Sequence, residues 1–318
     1  MQQVLGLDVI GDVHGEIDAL TQLLSEMGYS DRGGAWQHSR RQAVFVGDII
    51  DRGPGQIEVV ELVRNMCETG SAQMCLGNHE WNAMCWLTPD PNQPGKFLRD
   101  HDKPAKRSQH AAFLAAVVEN SHRHREYVQW FSTLPLWLDL PGLRVVHACW
   151  QESRMATIRR VTGERCLPTH ELLVAAGIAG SAEHEAVEIT LKGIEAALPA
   201  GMTFFDKGGI ERSETRIMWW REEPRTFRNS ALVDGDEVRE QLPENALPAS
   251  TVIEPDGDPR PVVFGHYWAT GTPRLQTDRA VCVDYSAALN GALVAYRWNG
   301  ESELNAANLV AVTAGNCA

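Results

Sequence analysis

The segment VLGLDVIGDVHG, residues 4–15, joins an apolar run to a turn made of glycine, aspartate and histidine. A short apolar run that ends at Gly11-Asp12 predicts a buried β-strand over residues 4–10. Residues 16–27 then place Ile17, three leucines and Met27 on one helical face. A buried strand followed directly by an amphipathic helix is the unit from which α/β sheets are built, so this segment predicts an α/β fold.

The same unit recurs further along the chain. AVFVGDIIDRG at 43–53 precedes a helical pattern at 57–67, and AQMCLGNHE at 72–80 supplies a third strand. Apolar runs in the second half predict further strands at 143–146, 262–264, 280–284 and 292–298. We therefore predict one α/β domain over residues 1–318, covered by helices on both faces.

Two segments interrupt this pattern. Residues 81–135 are rich in tryptophan and include a helical pattern at about 109–130. Residues 152–200 are rich in alanine, glutamate and leucine and read as mostly helical. Helical segments inserted into a shared core commonly adjust specificity, so we expect both to form a lid or cap.

Composition excludes several classes of protein. Acidic residues outnumber basic ones by 42 to 29, giving a net charge of −13, which argues against nonspecific binding of nucleic acid. No apolar window is long enough to cross a membrane, and residues 1–3 lack the basic start of a secretion signal. The seven cysteines include no C-x-x-C pair, so reduced thiols and a cytoplasmic location are expected.

Side chains that bind metals stand at the ends of the predicted strands. In an open α/β sheet the site lies outside the carboxyl ends of the strands, so these turns should converge on one crevice. Their oxygen and nitrogen donors, without any thiolate, suit Mn, Fe, Zn, Co or Ni better than Ca. The candidate ligands are Asp12, His14, Asp48, Asn78, His147 and His266.

A pair of divalent ions about 3.5–4 Å apart would suit attack by hydroxide on phosphorus. Arg52 could grip phosphate oxygens as a fork. His79 follows the candidate ligand Asn78 and could protonate the leaving oxygen, with Asp51 as its carboxylate partner. These residues together predict hydrolysis of a phosphate ester.

Five motifs carry a resemblance to a known family. They are GDVHG at 11–15, GDIIDRG at 47–53, GNHE at 77–80, VH at 146–147 and GH at 265–266. With these motifs in this order, the chain resembles the calcineurin-like metallophosphoesterases, and within them the phosphoprotein phosphatases and bacterial dinucleoside tetraphosphatases. The resemblance implies a β-sandwich flanked by helices, with helical cap insertions.

The resemblance also implies residue roles. One metal would take Asp12, His14 and Asp48, and the second would take Asp48, Asn78, His147 and His266. Manganese is the preferred ion. The implied reaction is attack by a metal-bridging hydroxide on a phosphomonoester, either a phosphoprotein or a small phosphoester. Cleavage of dinucleoside polyphosphates or nucleotide caps is the alternative, and an inactive binding scaffold is a minor one.

Several positions depart from the family pattern and leave the substrate open. Leu76 stands where protein phosphatases usually carry arginine, whereas Glu80 is their usual choice. A second phosphate-binding arginine is expected between His147 and His266, and the sequence alone does not identify it among four candidates. These are Arg216, Arg221, Arg225 and Arg228.

Other chemically active side chains receive structural interpretations. We expect Cys149 to be a buried neighbour of His147 rather than a nucleophile, because metal-activated water needs none. The histidines of the first inserted segment are expected in solvated helices or loops. They are His101, His110, His122 and His124. The sequence leaves the oligomeric state open.

Overall fold

The computed structural model describes residues 6–205, 211–221, 225–233, 236–248, 251, 253–254 and 257–313. Strands and helices alternate through the first part of the chain. The strands there are β1 (Gly6–Ile10), β2 (Ser30–Asp31), β3 (Trp36–Gln37), β4 (Arg41–Phe45), β5 (Ala72–Met74), β6 (Trp137–Leu140) and β7 (Leu143–Val146). The helices are α1 (Ile17–Glu26), α2 (Gln56–Glu68), α3 (Asn78–Leu87), α4 (Pro104–Gln109), α5 (Ala111–Val117) and α6 (His122–Phe131).

The second part begins with three helices and returns to strands. Its helices are α7 (Glu152–Thr162), α8 (His170–Ala176), α9 (Ala182–Lys192), α10 (Phe227–Ser230) and α11 (Asp236–Gln241). Its strands are β8 (Glu195–Ala197), β9 (Phe204–Phe205), β10 (Glu211–Arg212), β11 (Glu214–Arg216), β12 (Val262–Phe264), β13 (Ala280–Cys282), β14 (Asp284–Tyr285), β15 (Ala292–Trp298) and β16 (Leu309–Thr313).

Two larger sheets form the centre of the molecule. The first has the order β14-β15-β1-β4-β5, with β16 added to β15, and the second has the order β13-β12-β7-β6. Strands β1, β4 and β5 run parallel, as do β7, β12 and β13. The parallel strands therefore bring their carboxyl ends, and the motifs that follow them, to one edge of each sheet.

Alternate residues of the central strands point to opposite faces and belong to two different apolar clusters. Val9 and Val44 of the first sheet pack with Val145 and Val263 of the second in one buried cluster. Their neighbours, such as Ile10 and Phe45, lie in a second cluster together with residues of the helices. Both faces of the central strands are mainly apolar, which is why these strands read as apolar runs in the sequence. The fold is a β-sandwich flanked by helices, and the predicted α/β class is confirmed.

The predicted bounds differ from the structure in two places that bear on the site. The single helix expected over 109–130 is divided into α5 and α6, because Val118 and Asn120 adopt left-handed backbone with φ of 61° and 64°. The single strand expected over 280–284 is divided between the two sheets: β13 pairs with β12, whereas β14 pairs with β15. The second division turns Asp284 toward the site described below.

The first inserted segment packs into the core. Every residue from Asn78 to Trp86 in α3 is buried, and α3 packs against α6. Phe113 of α5 and Phe131 of α6 lie in the same apolar cluster as α1 and α2. Within 152–200, the segment is helical through α9 and then forms β8. A lid function for either segment stays a prediction.

The described residues show neither a membrane-spanning helix nor a disulfide. None of their helices is both long and apolar enough to cross a bilayer. The cysteines among them form no disulfide, whereas Cys317 lies outside the described residues.

Candidate metal centre and catalytic site

Backbone hydrogen bonds bring the first two motifs together at the ends of β1 and β4. The N–H of His14 donates to the carbonyl of Asp48 and that of Gly15 to the carbonyl of Ile49, each at 2.9 Å. His14, Asp48 and His266 all adopt left-handed backbone, with φ of 46°, 53° and 67°. Such conformations cost energy in residues other than glycine and persist where the surrounding structure enforces them, often at functional sites.

One group of candidate ligand atoms comes from His14, Asp48 and His79, which are all buried. The Nε2 atoms of His14 and His79 lie 3.6 Å and 3.8 Å from Oδ2 of Asp48. His14 donates from Nδ1 to the carbonyl of Ile50 at 2.7 Å, which leaves Nε2 as the atom that faces Asp48. Among the described residues, this buried Nε2 has no hydrogen-bond partner. A buried imidazole nitrogen without a partner, aimed at a carboxylate, fits a metal ligand.

A second group comes from Asp48, His147 and His266, so that Asp48 belongs to both groups. Nε2 of His147 lies 3.3 Å from Oδ2 of Asp48 and 3.1 Å from Oδ1 of Asn78. The Nδ1 atom of His147 donates to the carbonyl of Val46 at 2.9 Å. His266 resembles His14, since its buried Nε2 also lacks a hydrogen-bond partner in the described part of the chain.

Asp12 joins the cluster from the end of β1. Its Oδ2 accepts a hydrogen bond of 3.2 Å from the backbone N–H of His266. Burial and the neighbouring carboxylate of Asp284 raise the pKa of Asp12 well above its usual value. Such crowding of buried acidic groups would be relieved by a bound cation. The six sequence-predicted ligand residues therefore lie in one buried cluster whose oxygen and nitrogen donors fit divalent transition metals.

The turns make room for these ligands through glycine. A Cβ on Gly77 would lie 2.1 Å from Oδ1 of Asp48, and one on Gly265 would lie 2.1 Å from Oδ1 of Asp12. Neither position tolerates a side chain without displacing a candidate ligand. The glycines of the GNHE and GH motifs thus serve the close approach of the strand ends.

Glu80 connects two of the turns. Its carboxylate accepts hydrogen bonds from the backbone N–H groups of Asp48, Ile49 and Gly77 at 2.8, 2.9 and 3.0 Å. The side chain is fully buried and lies in the first turn of α3. Glu80 therefore fixes the turn after β4 against the turn after β5 and holds Asp48 beside Asn78.

His79 forms the predicted pair with Asp51. Its Nδ1 lies 2.5 Å from Oδ2 of Asp51, and both side chains are buried. Burial lowers the pKa of His79, but the carboxylates of Asp48 and Asp51 outweigh this effect and raise it above its usual value. The hydrogen bond through Nδ1 leaves Nε2 directed toward the ligand cluster.

Asp51 has a second imidazole partner that the sequence analysis missed. Nδ1 of His110 lies 2.9 Å and 3.0 Å from the two carboxylate oxygens of Asp51, and its side chain is buried. The expectation that His110 is solvated is therefore wrong. His124 is also fully buried and His101 is partly buried against Trp86, whereas His122 is exposed as expected. Packing of α5 and α6 into the core explains the burial of His110 and His124.

Two arginines lie beside the cluster. The guanidinium carbon of Arg52 is 4.7 Å from the ring centroid of Trp268, and that of Arg216 is 5.6 Å from it. Arg216 also donates to the backbone carbonyl of His266 at 3.0 Å. Both guanidinium groups therefore lie against Trp268, and Arg216 also contacts the candidate ligand His266.

The other candidate arginines bind elsewhere or face solvent. Arg225 donates to the carbonyls of Arg221 and Ile253. Arg228 binds the carbonyl of Leu242 and the carboxylate of Glu244. Arg221 is exposed. A substrate-binding role for these residues stays a prediction.

Asp284 is a further residue that the sequence analysis did not single out. Its carboxylate accepts hydrogen bonds of 2.9 Å from the backbone N–H groups of Trp268 and Ser286. It is buried, and its charge acts on Asp12. A signal was present, since Asp284 ends an apolar run in the same way as Asp12 and Asp48. For His110 no comparable signal exists, because 59 residues separate it from Asp51.

Similarity to known proteins covers the first half of the chain most strongly. The profile of the calcineurin-like phosphoesterase family matches residues 7–172. The asymmetrical bis(5'-nucleosyl)-tetraphosphatase PrpE of Oceanobacillus iheyensis is 34% identical over 143 residues, which are 45% of this chain and 54% of that protein. The symmetrical bis(5'-nucleosyl)-tetraphosphatase of Vibrio campbellii is 27% identical over 140 residues, 44% of this chain and 43% of that protein. The chain thus matches about half of the length of these relatives.

Two solved phosphatase structures can be aligned over nearly the whole chain at low sequence identity. A cold-active protein-tyrosine phosphatase of a psychrophilic Shewanella species has a TM-score of 0.48 and 15% identity, with coverage of 99% of this chain and 82% of that one. A protein serine/threonine phosphatase of Saccharomyces cerevisiae has a TM-score of 0.48 and 14% identity, with coverage of 98% and 82%. Because the family profile matches just over half of its 318 residues, the chain belongs to the calcineurin-like phosphoesterases.

Proposed function

We propose that the chain is a phosphohydrolase that uses two divalent metal ions, with manganese preferred over Fe, Zn, Co or Ni. The observation that carries the proposal is the pair of buried ligand groups that share Asp48, one with His14 and His79 and the other with His147 and His266. We assign His79 to proton transfer rather than to metal binding, because its Nδ1 is held by Asp51. Asp12, His14 and Asp48 would hold one ion. Asp48, Asn78, His147 and His266 would hold the second. A cytoplasmic location belongs to the same proposal.

The proposed chemistry is hydrolysis without a covalent intermediate on the protein. Divalent ions bound at these ligands would supply Lewis acidity to a phosphoryl oxygen and to the attacking water. Arg52 and Arg216, which both lie against Trp268, would bind the remaining phosphoryl oxygens as planar forks. Asn78, whose Oδ1 lies 3.1 Å from His147, completes the binding surface at the start of α3.

His79 would deliver the proton that the leaving group needs. Its Nε2 faces Asp48 across 3.8 Å, while its Nδ1 is held by Asp51. The raised pKa of His79 favours the protonated imidazole that a general acid requires. The same arrangement would keep the ring from rotating away from the phosphate.

Two substrate classes fit this chemistry. We propose a phosphomonoester first, carried by a protein or a small molecule. Dinucleoside polyphosphates are the second candidate, supported by the similar proteins of Oceanobacillus iheyensis and Vibrio campbellii, which are named bis(5'-nucleosyl)-tetraphosphatases. Both classes present a phosphoryl group with a leaving oxygen, so they use the same residues. An inactive scaffold is disfavoured because all six candidate ligands are present and buried.

The test compares three substrates with the full chain and added Mn²⁺. p-Nitrophenyl phosphate reports the chemistry, a phosphoserine peptide represents the first class, and diadenosine tetraphosphate represents the second. We expect metal-dependent turnover of the aryl phosphate, which the Asp48→Asn variant purified in the same way should lose. Higher kcat/KM for the phosphopeptide supports the first class. Nucleotide products from diadenosine tetraphosphate at a higher kcat/KM would replace it with the second, and no turnover of any of the three would refute the proposal.

A further inference from the structure

Asp51 lies between two buried imidazoles. Nδ1 of His79 approaches its Oδ2 at 2.5 Å, and Nδ1 of His110 approaches its two oxygens at 2.9 Å and 3.0 Å. Burial raises the pKa of Asp51, but the hydrogen bonds from His110 and His79 outweigh burial and hold it well below its usual range. An ionised carboxylate only accepts, so both Nδ1 atoms must carry hydrogen and donate.

Aromatic packing fixes the position of His110. Its ring centroid lies 5.3 Å from that of Phe113 and 5.7 Å from that of Trp86. The residue stands at the junction of α4 and α5, and its side chain is only 1% exposed. The second imidazole therefore reaches Asp51 from a separate part of the chain with its orientation already set.

The hydrogen bonds from His110 restrain the carboxylate of Asp51. The backbone at Asp51 and Arg52 is left-handed, with φ of 68° and 72°. The backbone N–H of Asp51 donates to Oε1 of Gln56 at 2.7 Å, a bond that restrains the main chain and not the carboxylate. Hydrogen bonds from His110 to both oxygens restrict rotation of the carboxylate and hold Oδ2 where it meets His79.

We propose that His110 is a positioning residue that acts through Asp51 to direct His79 at the leaving-group oxygen. The proposal rests on the proposed phosphohydrolase function. In that reaction, water forms a bond to phosphorus while the bond between phosphorus and the leaving oxygen breaks. The proton of His79 Nε2 goes to the leaving oxygen, and the proton released by the water restores His79. The contacts of the His110 side chain in the described part of the chain are with Asp51, Trp86 and Phe113, none of which is a candidate metal ligand.

The test uses leaving groups of different basicity. General acid assistance matters most for a poor leaving group and little for a good one, so phenyl phosphate and 2,4-dinitrophenyl phosphate are compared. His110→Phe keeps the aromatic packing and removes the donor. We expect kcat for phenyl phosphate to fall about tenfold or more, with a much smaller loss for 2,4-dinitrophenyl phosphate and little change in KM.

Two further variants complete the kinetic test. His110→Asn carries an amide N–H near the place of Nδ1 and should recover most of the phenyl phosphate activity. His101→Phe alters the same aromatic group, since His101 stacks on Trp86 at 3.9 Å, and should leave the ratio of the two rates unchanged. If His110→Phe does not fold, His110→Gln replaces it, because its longer amide cannot donate from the Nδ1 position.

A second measurement separates this inference from the proposed function. The Nδ1 proton of a buried imidazole that donates to a carboxylate gives a signal far downfield in the NMR spectrum, and the signal of His79 can be assigned by its loss in His79→Gln. In the metal-free full chain we expect the signal to shift or vanish in His110→Phe and to persist in His110→Asn. If the signal behaves in this way but the wild type shows no phosphatase activity, the proposed function is wrong and the positioning role of His110 still holds. Equal rate losses for both phosphates with an unchanged signal would overturn the positioning role.

Discussion

The carboxylate of Asp48 lies at the centre of the candidate site, between three imidazoles. Its Oδ2 faces the imidazoles of His14, His79 and His147 at 3.3–3.8 Å, and its Oδ1 accepts the backbone N–H of His79 at 2.9 Å. Burial raises the pKa of Asp48, but the charge of His147 and the other imidazoles outweighs burial, and the pKa lies well below its usual value. The carboxylate is thus ionised and available to two ligand groups at once.

Replacing this carboxylate should therefore affect both proposed ions. In Asp48→Asn we expect Mn²⁺ stoichiometry measured by calorimetry to fall and kcat on p-nitrophenyl phosphate to drop by more than about 100-fold. Asp258→Asn makes the same chemical change in a residue that pairs with Arg260 outside the site, and it should bind metal like the wild type. Wild-type stoichiometry in Asp48→Asn would show that the shared-ligand assignment is wrong.

His124 gives a residue-scale prediction away from the metal ligands. Burial and the nearby His110 lower its pKa to about 4, with Arg125 acting in the same direction and Glu119 against it. Its Nδ1 accepts the backbone N–H of Asn120 at 3.2 Å. Between pH 6.5 and 4 the unfolded chain binds a proton at this residue while the folded protein does not. Stability is therefore lost as the pH falls through that window.

The size of this effect can be measured by urea unfolding at pH 7.5 and 5.0. His124→Asn keeps an acceptor at the Nδ1 position and removes the titration. We expect the wild type to lose about 1–2 kcal/mol more free energy of unfolding than this variant on acidification. His122→Asn, in which the replaced ring is 91% exposed, should retain the wild-type difference. Identical pH dependence in His124→Asn and the wild type would contradict the assignment.

At the scale of elements, the site depends on how the turn after β4 meets the start of α3. Glu80 accepts three backbone N–H groups from these two turns, and Gly77 permits their contact. The backbone at Gly77, with φ of −93° and ψ of 173°, is one that alanine adopts readily. A methyl group at position 77 would nevertheless clash, because its Cβ would lie 2.1 Å from Oδ1 and 2.3 Å from the backbone N of Asp48.

Gly77→Ala should therefore fold and yet displace Asp48. We expect its affinity for Mn²⁺ to fall by about tenfold or more, measured by calorimetry, while far-ultraviolet circular dichroism stays close to that of the wild type. Gly257→Ala is the matched control, since a Cβ there meets no atom within 4 Å. Unchanged metal affinity in Gly77→Ala would mean that the turns tolerate separation and that their close contact is not needed for binding.

Elements defined by local sequence patterns could be predicted, whereas features that depend on contacts between distant parts of the chain could not. The strands before Asp12, Asp48 and Asn78 were predictable because their apolar runs and their terminal turns are local in the sequence. The break between α5 and α6 depends on left-handed backbone at Asn120, a residue type that favours turns, and at Val118, a β-branched residue that gives no such signal. His110 and Asp51 meet only through the packing of α5 into the core, so their contact could not be read from the sequence. That the candidate ligands lie close together could be predicted, because each one follows a strand and the carboxyl ends of parallel strands meet at one edge of a sheet.

At the scale of the whole molecule, the proposed ligands join parts of the chain that are far apart. Asp12 and His266 are separated by 254 positions, and the backbone N–H of His266 donates to the two carboxylate oxygens of Asp12 at 3.2 and 3.4 Å. They belong to different sheets, since Asp12 follows β1 and His266 follows β12. Ions held at the cluster would therefore connect the carboxyl ends of both sheets and oppose their separation.

Metal removal should then lower the stability of the whole fold. Because ions bound only to the folded state stabilise it by mass action, a free Mn²⁺ concentration of about 100 times Kd should add about 2.7 kcal/mol. We expect the Tm of chelated protein to rise by several degrees on addition of Mn²⁺, in one cooperative transition and to an extent that depends on Mn²⁺ concentration. Asp48→Asn should abolish most of this rise, whereas Asp258→Asn should not. A Tm that is the same with chelator and with saturating Mn²⁺ would indicate that the two sheets are held without help from the cluster, and that its buried carboxylates are balanced by the surrounding imidazoles alone.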